Sequence, residues 1–491
     1  MMTGENCSVG RHTMTTPDAR RGRTCTPCRQ ANPMAAMTQP SPVLTSHAAA
    51  AGAAPLRIAI IGAGPVGLSV ALQLHQLGAA LQVDVFDAQA DAAAALGDPR
   101  VLALSEGSRQ LLAAVGAWPE QSATAIRRIH VSQLAPGLAA LPRVLLQADD
   151  SELPALGYTV RYGELLAALQ AAALHAGIQV QYGQAVRAVP SLDGGPVNLV
   201  RSAAATRSSQ DETGANRHTP APTPSPPNRA DAASAPPPAG SHSAPDRPVP
   251  ASAASRYDLA ILAEGGAFHT QAARALRRDY GQQALVGRVR CDRPHAGLAI
   301  ERFTPGGPVA LLPRGADYAL VWCVPPAEAD AIRQWDAAAQ IAALQALLPA
   351  ACGRVTELHL AGGYPLGLNA QWRTRQGRIV QLGNAAQTLH PVAGQGLNLG
   401  LRDAAALARA LATASTATTS TSAGLDTQLR RCDRSRLPDR AVLLGLTDLL
   451  ARGFTWQAPG AAALRASGLA ALTLLPPLRR LLQNRMVFGW R

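Results

Sequence analysis

The chain has 491 residues, 47% of them hydrophobic, enough to bury a large core. Its 45 basic residues outnumber 32 acidic ones for a formal net charge of +13, and every one of the 45 is an arginine, a bias that genome base composition accounts for. No helix-turn-helix, zinc-finger spacing or interleaved basic–aromatic stripe supports nucleic-acid binding, so an anionic membrane surface is the better partner for the excess charge.

Residues 1–54 are rich in Thr, Pro, Ala and Arg without hydrophobic periodicity, the composition of a disordered leader. They hold no apolar signal-peptide core, and Met34 or Met37 is an alternative start. Cys25-Thr26-Pro27-Cys28 has metal-like spacing but no second pair or histidine cluster, so no metal is expected. Cys291, Cys323, Cys352 and Cys432 are scattered, as in a reduced cytoplasmic protein.

Leu56-Arg57-Ile58-Ala59-Ile60-Ile61 reads as a strand that runs into Gly62-Ala63-Gly64-Pro65-Val66-Gly67. A helix follows, with Val66, Val70, Leu74 and Leu77 at helical spacing, then a strand from Val83 to Asp87. This is the dinucleotide fingerprint. Gly62 makes the tight turn, Gly64 admits a pyrophosphate, and Gly67 lets the helix pack on the strand. Asp87 stands where a carboxylate accepts from a ribose hydroxyl; a solvated acid at a strand end is the plain alternative.

Residues 191–255, dominated by Ala, Pro and Ser, read as a disordered insertion between strands. The apolar strand 259–263 leads into Glu264-Gly265. Strands at 285–290, 297–303, 309–312 and 318–322 alternate imperfectly, as expected of an antiparallel sheet that covers an apolar cavity on one face. Residues 378–382 form a strand that enters Gly383. The loop beyond it carries Gly394, Gly396 and Gly400 and opens an Ala/Leu-rich helix, whose first N–H groups and dipole would face an electron-rich partner. Residues 413–424 form a second low-complexity insertion. Near the C-terminus Leu469, Leu472, Leu474, Leu475, Leu478, Leu481 and Leu482 alternate with Arg465, Arg479, Arg480 and Arg485, and Phe488 and Trp490 follow. Both a bilayer interface and packing on the parent domain fit, and Pro476-Pro477 breaks any single helix there. No apolar run reaches the roughly 18–20 residues of a membrane span.

The two glycine motifs lie more than 300 residues apart, which suggests one cofactor held from both ends of a long domain. The arrangement resembles the FAD-dependent aromatic hydroxylase family, the single-component flavin monooxygenases, and within it the ubiquinone-biosynthesis branch. Besides the glycines, the likeness is carried by residues 98–105 (DPRVLALS), 156–161 (LGYTVR), 279–284 (DYGQQA), 301–305 (ERFTP), 307–313 (GPVALLP) and 364–366 (YPL). Asn384 and His390-Pro391 look like the methoxyphenol-hydroxylase subtype. Glu264-Gly265 and Phe268 depart from the Asp-Gly and Ser of most members, which weakens any nicotinamide site there.

The expected fold is α/β: a FAD-binding, Rossmann-like three-layer domain (55–190, 256–275 and 376–412) interrupted by a mostly antiparallel β-sheet substrate domain (276–375, with 126–150 contributing). C-terminal helices would fill 425–491. The resemblance implies bound FAD, NAD(P)H as transient reductant, and hydroxylation of a polyprenyl methoxyphenol with O2 through a flavin hydroperoxide. Alternatives are a flavin hydroxylase of a small soluble phenol, or a flavin-binding scaffold in a membrane-associated biosynthetic complex. A cytoplasmic protein, peripheral on the inner membrane, is expected. By the same resemblance Gly62, Gly64, Gly67 and Asp87 would hold the ADP half. Arg100 and Arg161 would reach the pyrophosphate or ribityl region unless they are surface charges, and Gly383 and Asn384 would bind the ribityl–phosphate junction. Pro391, Gly394, Gln395, Gly396, Leu397 and Asn398 would line the isoalloxazine. His390 is a candidate base, with loop positioning as its alternative; no base for the phenol is identifiable.

Overall fold

The computed structural model describes residues 55–78, 81–98, 100–191, 195–201, 255–266, 271–416, 422–453, 456 and 458–489. The expected leader 1–54, most of the expected insertion 191–255, Phe268 and Trp490 lie outside the described residues. So does the middle of the second expected insertion; helices Gln395–Thr416 and Ser422–Gly453 take up its flanks.

Parallel strands covered on both faces read as continuous apolar runs, and the first sheet is built from such runs. Its order is Arg375–Gln376, Ile379–Gln381, Leu259–Leu262, Leu56–Ile61, Leu81–Phe86 and Val180–Gln181, parallel throughout except for the hairpin at the first edge. Ile60 pairs with Ile261, and Ile261 with Val380, so segments far apart in sequence become neighbouring strands. One face packs on helices Pro65–Gln76, Tyr162–His175 and Gln395–Thr416 through Leu68, Leu74, Leu165, Leu169 and Leu407. The other face meets a small sheet (Val186–Val189, Val197–Arg201, Ser255–Tyr257) through Leu199 and Tyr257. These are the three layers expected from the sequence.

The second sheet has eight strands, ordered Gln387–Thr388, Val355–Ala370, Leu276–Cys291, Asp317–Val324, Pro308–Arg314, Leu298–Phe303, Arg128–Gln133 and Arg143–Gln147. Only the pairing of Leu298–Phe303 with Arg128–Gln133 is parallel. The strand Leu276–Cys291 is longer than its hydrophobic pattern suggests, because register shifts such as the one between Asp279 and Gln282 bend it without ending its pairing. Leu285, Ile300, Leu311, Leu320 and Trp322 form the face covered by helices Pro326–Gln334 and Ala337–Leu347. Ala284, Val321, Cys323 and Leu366 lie on the opposite face.

Helices Ala461–Leu474 and Pro476–Phe488 bend by 97° at the proline pair, and among the described residues no single helix is long and apolar enough to cross a membrane. Leu469 and Val487 pack on Val144, Leu146 and Leu156, and Gln483 Nε2 donates to Gln147 O at 2.9 Å. The other side of the pair leaves Leu474 76% and Leu481 53% exposed, beside Leu138 and Leu141 at 82% and 68%. Helix Ser422–Gly453 is tied to Gln395–Thr416 by a buried ion network. In it Arg402 pairs with Asp439 at 3.0 Å, and Arg436 bridges Asp403 and Asp439.

Candidate cofactor site

The tip of strand Leu56–Ile61 turns at Gly62, whose φ of +105° disfavours a side chain and whose Cβ would meet Ala263 C at 2.8 Å. A Cβ on Gly67 would lie 1.9 Å from Gly62 O, so only glycine lets the helix start so close to the turn. At Gly64 the demand is different. Its φ of −75° and ψ of −177° suit any residue, and the nearest atom to a Cβ is Tyr162 Oη at 3.7 Å. Helix Pro65–Gln76 has no side-chain cap and no acid in its first turn, so its N-terminal N–H groups face the space over Gly64. Asp87 closes the loop: Oδ2 accepts from Ala63 N–H at 2.6 Å and Oδ1 from Gln89 N–H at 2.8 Å. Each oxygen keeps a second lone pair for a ligand hydroxyl.

The second glycine motif docks on the first. A Cβ on Gly383, at φ +56°, would strike Val66 Cγ2 at 2.9 Å, and one on Gly400 would sit 3.0 Å from both Gly383 Cα and Val66 Cγ2. The loop Pro391–Gly394 leads into helix Gln395–Thr416, which also lacks an acid in its first turn. Gly396 has no atom within 4 Å of a Cβ position. Gln395 is buried with its Oε1 unpartnered, as suits a group awaiting a ligand donor. Leu397 packs on the helical core beneath. Two helix starts without an acid in the first turn, an open glycine and an orphaned amide oxygen suit a long dinucleotide with a phosphate bridge and a polar ring edge, the chemistry of FAD.

Arg100 lies 4.8 Å over the Tyr162 ring and binds Asp98 through Nε at 2.9 Å, which sets its guanidinium near the Gly64 loop. Arg161 is exposed and pairs with Glu164 at 3.8 Å, on the neighbouring strand opposite Val101. Asn384 is exposed on the loop after Gly383, and its carbonyl accepts from Arg274 Nη2 at 2.9 Å. Asn398 is buried and fully engaged. Its Nδ2 donates to Ala103 O and Gly394 O, and its Oδ1 accepts from Ser105 N–H and Ser108 Oγ–H. With its hydrogen-bonding capacity taken by protein, it braces the loop against strand Val101–Ser105.

His390 is braced in the same way. Its Nδ1 accepts from Val392 N–H at 3.1 Å, so Nε2 carries the proton and donates to Gln282 Oε1 at 3.2 Å. Burial lowers its pKa to about 4, and its ring meets Tyr280 edge-on at 5.3 Å. Its lone pair is spent on the backbone, which leaves it positioning the loop beside Pro391 instead of taking a substrate proton. Gln282 Nε2 continues the chain to Gly306 O at 2.9 Å, joining the cofactor loop to the eight-stranded sheet.

Tyr162, Arg274 and Gln282 are site residues that the motifs did not single out. Tyr162 directly follows Arg161 and Gln282 sits inside the 279–284 motif, so both were within reach. Arg274 bridges Asn369 O and Asn384 O from a segment without a motif, and only the fold brings it there.

A family profile described as "FAD binding domain" matches residues 288–436. The ubiquinone hydroxylase UbiL of Rhodospirillum rubrum is 36% identical over 203 residues, 41% of this chain and 47% of that protein. The 3-demethoxyubiquinol 3-hydroxylase of Escherichia coli is 27% identical over 432 residues, 87% of this chain and 97% of that protein. The chain thus spans about half the length of some curated relatives it matches, and nearly all of another. Among solved structures, a variant of Klebsiella pneumoniae HpxO complexed with FAD has a TM-score of 0.58 at 17% identity, covering 88% of this chain and 99% of that one, a likeness of fold. The cofactor of this chain is FAD, and over part or most of its length the chain is similar to hydroxylases named for ubiquinone and its precursors.

Proposed function

We propose that this protein hydroxylates the aromatic ring of a polyprenyl methoxyphenol in ubiquinone biosynthesis, consuming O2 and NAD(P)H. The observation that carries the reading is the joining of two glycine loops into one FAD cradle beside a sheet with a half-open apolar face. The names of several relatives, a ubiquinone hydroxylase, a 3-demethoxyubiquinol 3-hydroxylase and a ubiquinone-biosynthesis monooxygenase, support the same reading. Bound FAD, once reduced, activates O2 so that one oxygen atom reaches the ring and the other leaves as water. The chain's own residues do the rest. The N–H groups beyond Gly64 and the Asp87 carboxylate hold the ADP half, with Arg100 close by. Gly383, Asn384 and the loop from Pro391 to Leu397 hold the flavin end, braced by Asn398 and His390. Val286, Ala310 and Val321 offer an apolar wall that orients a phenol ring and excludes water.

The exposed leucines of the C-terminal helix pair, with Arg480 and Arg485 among them, suit peripheral docking on an anionic bilayer, where a polyprenyl substrate resides. Quinone profiling by mass spectrometry in a strain deleted for the gene tests the function. The expected result is accumulated polyprenyl methoxyphenol and lost ubiquinone, restored by the wild-type gene but not by Gly64→Trp. Normal ubiquinone in a strain without a redundant hydroxylase refutes it.

A further inference from the structure

Glu301 lies mid-strand in Leu298–Phe303, where it pairs laterally with Ala310 on one side and Val131 on the other. The row continues through Val321 to Val286. Alternation puts this row on the face opposite Ile300, Leu311 and Leu320, each no more than 1% exposed beneath the covering helices. Glu301, Ala310, Val321 and Val286 are instead all half-buried, although they lie in the middle of an eight-stranded sheet. A central row with that much open surface borders a cleft that no side chain of the described residues fills. The cleft's limits are known from its neighbours. Val131 packs with Leu469 and Val487 of the C-terminal helices, and Val321 packs with Ala284, Cys323 and Leu366. Just past the strand, the Thr304–Gly307 turn is bonded through Gln282 to His390 of the cofactor loop.

In this apolar cleft Glu301 is the acid of the row, and its Oε1 is buried without a hydrogen-bond partner. A lone carboxylate oxygen left orphaned is costly unless a ligand donor completes it. We infer that Glu301 is the catalytic base of the site, accepting the hydroxyl proton of a phenolic substrate bound in the cleft; this rests on the hydroxylase reading above. The phenol O–H bond breaks and a Glu301 carboxyl O–H bond forms. The electron pair left on the phenolic oxygen flows into the ring, whose carbon bonds one atom of activated O2 as the O–O bond breaks; the second oxygen keeps that bond's electron pair and leaves as water. When that carbon gives up its own proton to water and aromaticity returns, Glu301 hands its proton back to the phenolic oxygen. The residue ends as it began.

Burial, with no charged neighbour contributing, pushes the Glu301 carboxyl up to about 8, between an ordinary carboxylate and a phenol, where proton exchange with either is efficient. The titratable and charged groups around it do not displace this. The Cys323 thiol on the same face is itself raised by burial, and Arg302 is on the opposite face with Nη1 on Ser132 Oγ. Arg465 and Arg479 of the C-terminal helices are engaged with Gln133 and Asp150.

The test compares the FAD-loaded wild type with Glu301→Gln and Glu301→Asp, using a short-chain prenyl methoxyphenol in detergent micelles. Formation of hydroxylated product is followed across pH, with FAD content checked by absorbance. The wild type is expected to gain rate as pH rises through the range of the Glu301 carboxyl near 8, and Glu301→Gln to lose that ascending limb. Hydroxylation by Glu301→Gln should fall about a hundredfold or more, with FAD content unchanged and Glu301→Asp retaining part of the rate. A Glu301→Gln enzyme that hydroxylates the phenol with the rate and pH profile of the wild type overturns the role of Glu301 alone. A FAD-loaded wild type that hydroxylates no phenol overturns the hydroxylase reading and the base with it. Should Glu301→Gln fail to fold, the wild-type pH profile decides, and a hydroxylation rate that is flat through the range of the Glu301 carboxyl overturns the inference.

Discussion

Gly64 and Gly67 sit three residues apart in one motif, yet alanine at each should fail for opposite reasons. At Gly67 a methyl carbon would stand 1.9 Å from Gly62 O, against the roughly 3.3 Å of an ordinary contact. The obstacle is backbone, so helix Pro65–Gln76 must move off the sheet by more than an ångström and disturb Leu68 and Val70 in the core. Overpacking of this kind costs about 3 kcal/mol. At Gly64 the backbone is already extended and the methyl meets only Tyr162 Oη at an ordinary 3.7 Å, so the cofactor-free chain should change by about 0.5 kcal/mol or less. The same methyl fills the space that a pyrophosphate needs. Loss of one or two charge-assisted hydrogen bonds at about 1.5 kcal/mol each raises the FAD Kd about ten- to a hundredfold. Thermal melting of FAD-free protein and titration with FAD by fluorescence separate the two effects. Gly67→Ala should melt several degrees early, whereas Gly64→Ala should melt like the wild type and bind FAD weakly. A Gly64→Ala chain with wild-type affinity would refute the placement of the pyrophosphate.

Asn398→Ala strands the Ser105 N–H, the Ser108 hydroxyl and the carbonyls of Ala103 and Gly394 in a buried site, at a cost of about 3 kcal/mol. Its urea midpoint should fall and its FAD content with it; an unchanged midpoint would mean that the brace is dispensable. His390 provides the pH test. Burial depresses its folded pKa to about 4 against the ordinary 6.5, so the unfolded chain binds its proton first as pH falls. Its contribution is therefore complete above about 6.5 and lost progressively toward 4, up to about 3 kcal/mol. Chemical denaturation of the wild type across that window should show a steeper loss than His390→Gln. Parallel curves would count against a neutral, buried His390.

Much of this protein was legible in local pattern. Apolar runs at 56–61 and 259–263 mark strands covered on both faces, and glycines at 62, 64, 67 and 383 mark places where the backbone has no room for a side chain or must leave room for a ligand. These constraints act within a few residues of chain, so sequence spacing expresses them directly. The C-terminal leucines were legible only as an ambiguity: the fold uses one side of that helix pair for packing and leaves the other exposed, and the leucine spacing alone does not say which side meets protein.

What the sequence by itself determined, then, was the pair of glycine loops and the α/β class, with the flavin chemistry implied by the family resemblance. Tertiary structure alone decided which polar side chains remain available. Asn398 looks like a cofactor contact in the chain, but its amide is consumed by Ala103, Ser105, Ser108 and Gly394, nearly 300 residues away in sequence except for the last. His390 looks like a base, but its lone pair is taken by Val392 and its proton by Gln282. Glu301 looks like one more strand residue, and only the register of four strands puts it on the half-open face. Hydrogen bonding and desolvation depend on what the fold brings within about 3 Å, and such partners leave no trace in local spacing.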